Sequence, residues 1–220
     1  MRITLLRHGQ PDFDWQRKVR GADFRKIKRA YDAAGIIDTP PESSRRLVFS
    51  HRIIVSSSLP RSIQSAHALG AHTIHLSSPL FREIHLPCFN RISIRLPLRL
   101  WVPILRTLWL LGYSKNTESL ASARARAQTA ASQLITLAAK HKSVLLVGHG
   151  ALNHYIAKEL LAAHWTGPRN PGRKYWAFGT YEYSRVMTKL PLFETRLQAK
   201  VQPAALALVS EKPQGDMSHD

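Results

Sequence analysis

Three short apolar runs in this chain each hand over to residues suited to gripping an anion. Leu5-Leu6 is followed at once by Arg7-His8-Gly9. Arg52-Ile53-Ile54-Val55 leads through Ser56-Ser57-Ser58 and Leu59-Pro60 to Arg61. Val144-Leu145-Leu146-Val147 ends in Gly148-His149-Gly150. A guanidinium is a permanently charged planar fork that holds phosphate oxygens through short, charge-assisted hydrogen bonds. An imidazole at the start of a helix donates to the same kind of oxygen, with the helix dipole helping. Arg7-His8-Gly9 taken alone is more simply a surface basic pair before a turn glycine; the recurrence of such handovers points to a shared phosphate site.

Positioning such groups calls for an open α/β sheet, in which ligands gather beyond the carboxyl ends of the strands. Met1 to Leu6, 52–55 and 144–147 read as buried strands. Ala151, Leu152, Tyr155, Ile156, Leu160 and Leu161 have helical spacing, so His149 stands between a strand and a helix. Pro60 suits the first turn of another helix, continued by Ile63, Ala66 and Leu69. The helical spacing is clearest over 117–140, with Leu120, Ala123, Ala127, Ala130, Leu134 and Leu137. A further helix is expected through Phe24, Ile27, Ala30, Tyr31 and Ala34, then a turn or linker at Pro40-Pro41-Glu42-Ser43-Ser44. Thr73-Ile74-His75-Leu76 and Trp176 to Tyr183 read as short strands.

With these elements in place, the chain resembles the phosphoglycerate mutase-like branch of the histidine phosphatase superfamily. That family carries Leu-x-Arg-His-Gly near its start, then Ser-x-Leu-x-Arg-x-x-x-Ser/Thr-Ala, and a late Gly/Ser-His-Gly. Here the pattern is met by Leu5 to Gly9, Ser57 to Ala66 and Gly148 to Gly150, within a resemblance over roughly residues 1 to 185. The resemblance implies an α/β three-layer sandwich: a mostly parallel central sheet flanked by helices, plus a helical insertion. It implies that His8 attacks phosphorus to give a phosphohistidine, that Arg7, Arg61 and His149 hold the phosphate oxygens, and that no metal or cofactor is needed. Glu83, in Leu80-Phe81-Arg82-Glu83, matches the family's acidic position and is the candidate proton donor; pairing with Arg82 is its structural alternative. Glu118-Ser119 resembles a family Glu-Ser, although helix capping accounts for an early acid equally well.

The chain departs from the family at Leu86-Pro87-Cys88-Phe89 and at Gln10-Pro11-Asp12-Phe13-Asp14-Trp15, which weakens transfer of a mutase's substrate contacts. A phosphomonoester hydrolase acting on a small phosphorylated substrate is therefore expected. The alternatives are a phosphoglycerate mutase-type phosphotransferase, or a non-catalytic basic domain docking on anionic membrane or nucleic acid.

At 220 residues the chain suits one domain, expected over 1–202 with a tail at 203–220. The charge of +18, from 32 Lys and Arg against 14 Asp and Glu, raises the local concentration of anions without choosing among them. Its densest run is Arg17, Lys18, Arg20, Arg25, Lys26, Lys28 and Arg29, either a solvated face or a rim gathering phosphorylated substrate. No zinc-finger spacing, Walker loop or aromatic RNA-binding signature accompanies it, so nucleic acid is not the expected partner. Residues 91–113 are apolar but carry Arg91, Arg95, Arg99 and Arg106 with Pro97 and Pro103, which argues against a membrane span. A packed capping helix is expected there; a lid, a dimer surface and an anchor on an anionic membrane surface are alternatives. Oligomeric state is left open. Cys88 is the single cysteine, a buried thiol by default. The first apolar run ends at Arg7, and cleavage after it would remove the Arg7-His8-Gly9 motif, so no secretory signal is read and a cytoplasmic location is expected.

Overall fold

Alternating side chains on the strands send apolar residues to both faces of one sheet, so both faces must be covered by helices. The computed structural model describes residues 1–89 and 91–184, and the expected tail at 203–220 lies outside the described residues. Its sheet contains β1 (Arg2–Arg7), β3 (Ile53–Ser57), β4 (Leu76–Ser78), β6 (Ser143–Gly148) and β7 (Phe178–Glu182), in the order β4-β3-β6-β1-β7. Only β7 runs antiparallel to its neighbour; the other pairs are parallel. Ile3, Leu5, Val144 and Leu146 pack under α5 (Leu120–His141) and α6 (Gly150–Ala162). Leu6, Ile54, Leu145 and Val147 turn the other way, toward α2 (Glu42–Ser50) and α3 (Pro60–Ala68). The result is the expected three-layer α/β sandwich. On α5, Ala123, Ala127, Ala130 and Ala138 are wholly buried, their small side chains letting the helix lie close to its neighbours.

The parallel register aligns the strand ends that matter. Leu5 pairs with Leu146 and Arg7 with Gly148, while Ser56 pairs with Val147. Arg7-His8, Ser57 and Gly148-His149 therefore leave the sheet along one carboxyl edge.

A separate small core lies beyond that edge. β2 (Lys18–Arg20) pairs antiparallel with β5 (Arg95–Pro97), and β5 runs straight into α4 (Leu98–Leu110). Val19, Phe24, Ile27, Leu98, Trp101 and Leu105 pack together, joining α4 to α1 (Phe24–Ala33), and the Trp101 indole donates to the Val19 carbonyl at 3.0 Å. The 91–113 segment thus buries one face of α4, while Ile94, Leu100, Ile104, Leu110 and Leu111 stay exposed. Cys88 is buried within this core, and burial raises its thiol pKa. Among the described residues no helix is long and apolar enough to cross a membrane.

Two local expectations need correcting. Pro40 to Ser44 is not simply a linker: Glu42 opens α2, with Pro41 as its N-cap residue in extended conformation. The strand expected at 73–76 begins only at Leu76, since pairing with Val55, Ser56 and Ser57 takes up Leu76, Ser77 and Ser78 instead. His75 serves the sheet differently, accepting from the Ile54 amide at 3.2 Å through Nδ1.

Candidate active site

The backbone around His8 is pinned from several sides. Arg7 donates its amide to the Ala177 carbonyl at 2.9 Å, His8 to Gly148 at 3.0 Å, and Gly9 to the Ser65 hydroxyl at 2.9 Å. Asp38 then ties two segments together, accepting from the Gln10 amide at 2.7 Å and the Trp176 indole at 2.8 Å. A Cβ at Gly9 would overlap the Trp176 ring and lie 2.6 Å from Asp38 Oδ1, so only glycine lets the loop pass here.

His8 is 1% exposed, and its Nδ1–H donates to the Gly9 carbonyl at 2.6 Å. In the neutral ring that bond leaves Nε2 as the lone-pair nitrogen. Burial, followed by the charge of Arg61, pushes the His8 pKa down to about 3. The His149 ring lies edge-on at 4.9 Å between centroids, and burial together with His8, Arg61 and Arg7 lowers its pKa well below the usual range. His149 Nε2 lies 2.8 Å from the Ser57 hydroxyl and 3.2 Å from that of Ser62. Both rings are neutral at pH 7.

The arginines face the same place. Arg61, fully buried in the first turn of α3, donates through Nη1 to the Tyr31 carbonyl at 2.7 Å and stacks its guanidinium 4.2 Å from the Tyr31 ring centre. Its Nη2 is 4.0 Å from Asp32, whose carboxylate also meets His85 at 3.0 Å. Arg7 lies over Tyr175 at 4.4 Å and donates to the Arg173 carbonyl. Among the described residues, Arg7 Nε, Arg61 Nε and Arg61 Nη2 are buried donors without a hydrogen-bond partner. Buried donors of that kind are costly unless something accepts from them.

Glu83 approaches from the other wall. Its carboxylate accepts from the Ala151 and Leu152 amides at 3.2 and 3.1 Å, so it occupies the first turn of α6, where the sequence placed help for the phosphate. Arg82 does not pair with it, donating instead to the Ser58 hydroxyl at 2.7 Å. Arg7, Arg61 and Glu83 all line one cavity of about 730 Å³, while the buried His8 and His149 are not among its lining residues. Three of the five residues singled out from the sequence thus line one cavity, and the two histidines lie side by side.

A profile of the histidine phosphatase superfamily (branch 1) matches residues 41–190. The chain belongs to that superfamily. Solved structures agree on the fold. The open reading frame product Rv3214 of Mycobacterium tuberculosis superposes with a TM-score of 0.55 at 18% identity, covering 84% of this chain and 92% of that one. A mycobacterial glucosyl-3-phosphoglycerate phosphatase, Rv2419c, complexed with VO3, gives 0.53 at 20% identity over 81% and 91%. A phosphoserine phosphatase from Entamoeba histolytica gives 0.51 at 17% identity over 84% and 91%. No curated protein sequence matches the chain.

In this histidine phosphatase fold the position of Glu83 depends on a residue that sequence reasoning missed. Arg126, on α5, donates to the Leu80 and Arg82 carbonyls at 2.9 and 2.8 Å, gripping the backbone just before Glu83. Glu118 holds Arg126 by a two-pronged ion pair, and Ser119 caps α5 by accepting from the Ser122 amide at 3.1 Å. Glu118-Ser119 therefore divides between an anchor and a cap. Arg126→Met should lower unfolding stability by roughly 1–3 kcal/mol, because Glu118 loses its partner. It should also slow esters with poor leaving groups more than 4-nitrophenyl phosphate. Equal loss on both substrates in steady-state assays would make Arg126 purely structural.

Proposed function

We propose that this protein is a phosphomonoester hydrolase acting through a phosphohistidine on His8. The observation that carries the reading is a neutral imidazole with its Nε2 lone pair free, set beside two arginines with unpartnered buried N–H groups. Nε2 attacks phosphorus as the ester P–O bond breaks, and the departing alkoxide takes a proton from Glu83. Water then attacks the phosphohistidine, giving a proton to Glu83, as the N–P bond breaks and inorganic phosphate forms. Dividing one displacement into two lowers each barrier. Arg7, Arg61 and His149 meet the equatorial oxygens, over which the transferring group spreads its charge.

Testing this begins with purified protein and a panel of phosphate esters, with and without a chelator. Turnover is expected, and a chelator should leave it unchanged, because the fixed cations already supply the charge a metal ion would bring. Loss of activity on chelation, restored by a divalent ion, would contradict that mechanism. Glu83→Gln separates the proton donor from the nucleophile. It should lower kcat for alkyl phosphates by roughly 10²–10⁴-fold and affect 4-nitrophenyl phosphate far less, since that leaving group departs as an anion. Equal rates for the variant and the parent on alkyl phosphates would remove Glu83 from this role.

A further inference from the structure

The cavity lined by Arg7, Arg61 and Glu83 is far larger than a phosphate needs, and aromatic and aliphatic side chains make up part of its wall. Phe13, Trp15 and Phe24 line it, together with Leu98, Val102 and Trp109 of α4. Phe13, Trp15 and Tyr31 brace one another with ring centres 5.1 Å apart, so that part of the wall is stiff. Besides its charged groups, the polar side chains that line the cavity are Tyr31, His85, His154, Tyr155 and Asn170, with no serine, threonine or glutamine among the described residues. A sugar would bury several hydroxyl groups at once, and any that meet the aromatic and aliphatic stretches of the wall instead of these side chains would lose hydrogen bonds to water, which is unfavourable.

Lys28, Arg106, Arg124, Lys158 and Arg173 also line the cavity. Arg106 lies 5.1 Å from the Trp109 ring centre and donates to the Ile84 carbonyl, while Lys158 lies 5.5 Å from the Tyr155 ring centre. Such side chains contribute their apolar stems to a wall and draw in any anion. The opening is apolar as well: Leu110 lines the cavity and is 51% exposed, with Leu111 79% exposed beside it.

We infer that the natural substrates are phosphomonoesters of bulky apolar alcohols, with the phosphate at Arg7 and Arg61 and the apolar group against Phe13, Trp15, Val102 and Trp109. This rests on the hydrolase reading above and deepens it. The phosphate supplies the common chemistry, and the walls choose the alcohol.

The test is a series of n-alkyl phosphates from ethyl to octyl, each kept below its aggregation concentration, with the matching alkylphosphonates as non-hydrolysable ligands in calorimetry. Each methylene that leaves water is worth roughly fourfold. Allowing for the cost of ordering the chain, kcat/KM should rise at least about a hundredfold from ethyl to octyl. Phosphonate affinity should rise in parallel, and Val102→Asp should cut the octyl-to-ethyl ratio at least tenfold. Turnover of the esters with no dependence on chain length, in rate or in phosphonate affinity, would overturn the inference while leaving the hydrolase standing. Phosphonate affinity that climbs with chain length while no ester is turned over would overturn the hydrolase reading and, with it, any statement about substrate.

Discussion

Replacing His8 by alanine should reduce kcat for every phosphate ester by roughly four to six orders of magnitude, the scale of losing a covalent nucleophile. The fold should survive, because the backbone here is held by hydrogen bonds from the His8 amide to the Gly148 carbonyl and from the Gly9 amide to the Ser65 hydroxyl, neither of which needs the imidazole. A second consequence follows from the burial of the ring. The folded pKa of about 3 lies below the ordinary 6.5, so in acid the unfolded chain takes up the proton first. The neutral ring's contribution to stability is complete above pH 6.5 and is lost as the pH falls toward 3. Removing His8 should make the fall in unfolding free energy between those limits shallower, by up to about 1.4 kcal/mol per pH unit. Denaturant unfolding of parent and variant at several pH values measures the slope; equal slopes would mean that His8 already carries its proton in the native state.

Arg61→Met is expected to lower kcat/KM by roughly 10²–10³-fold, as for loss of one donor aimed at transition-state charge, about 2.7–4 kcal/mol. Arg61→Lys should recover little of this, since an ammonium lacks the planar fork that meets two oxygens at once. Stability should respond differently from activity. Arg61 is a fully buried charge whose carboxylate neighbour is 4.0 Å away and is shared with His85. An apolar side chain of similar length escapes the cost of burying that charge. The melting temperature of Arg61→Met should therefore stay within about 5 °C of the parent. Orthovanadate should raise the melting temperature of the parent and not of the variant, because the anion's holder is gone. A variant with parental activity would exclude Arg61 from the site.

Much of this arrangement was legible because it depends on short-range signals. The runs before Arg7 and Gly148 are apolar on both faces, which marks buried parallel strands, and each chemical residue follows its strand at once. The helix at Gly150–Ala162 and the small-residue helix at Leu120–His141 stood out by their periodicity. α2 did not: its prolines and serines signal a turn, and only Ser44 and Leu47 of the helix are buried. The β2–β5 ribbon is three residues on each side, too short to show alternation, and its partners are far apart in sequence. Arg126 was hidden for the same reason, since its role lies in carbonyls more than forty residues away. The aromatic walls over the arginines, Tyr31 and Tyr175, carry no motif and become visible only when the chain closes.

The claim at the centre is that a phosphoryl group resides briefly on His8. Rapid quenching of the parent enzyme during turnover of a labelled phosphate ester, followed by peptide mapping, tests it directly. The expected result is an acid-labile, base-stable phosphate on the peptide containing His8, formed in a burst and absent from His8→Ala. Label on Ser57 or Ser58, or turnover with no labelled protein at any time point, would contradict it.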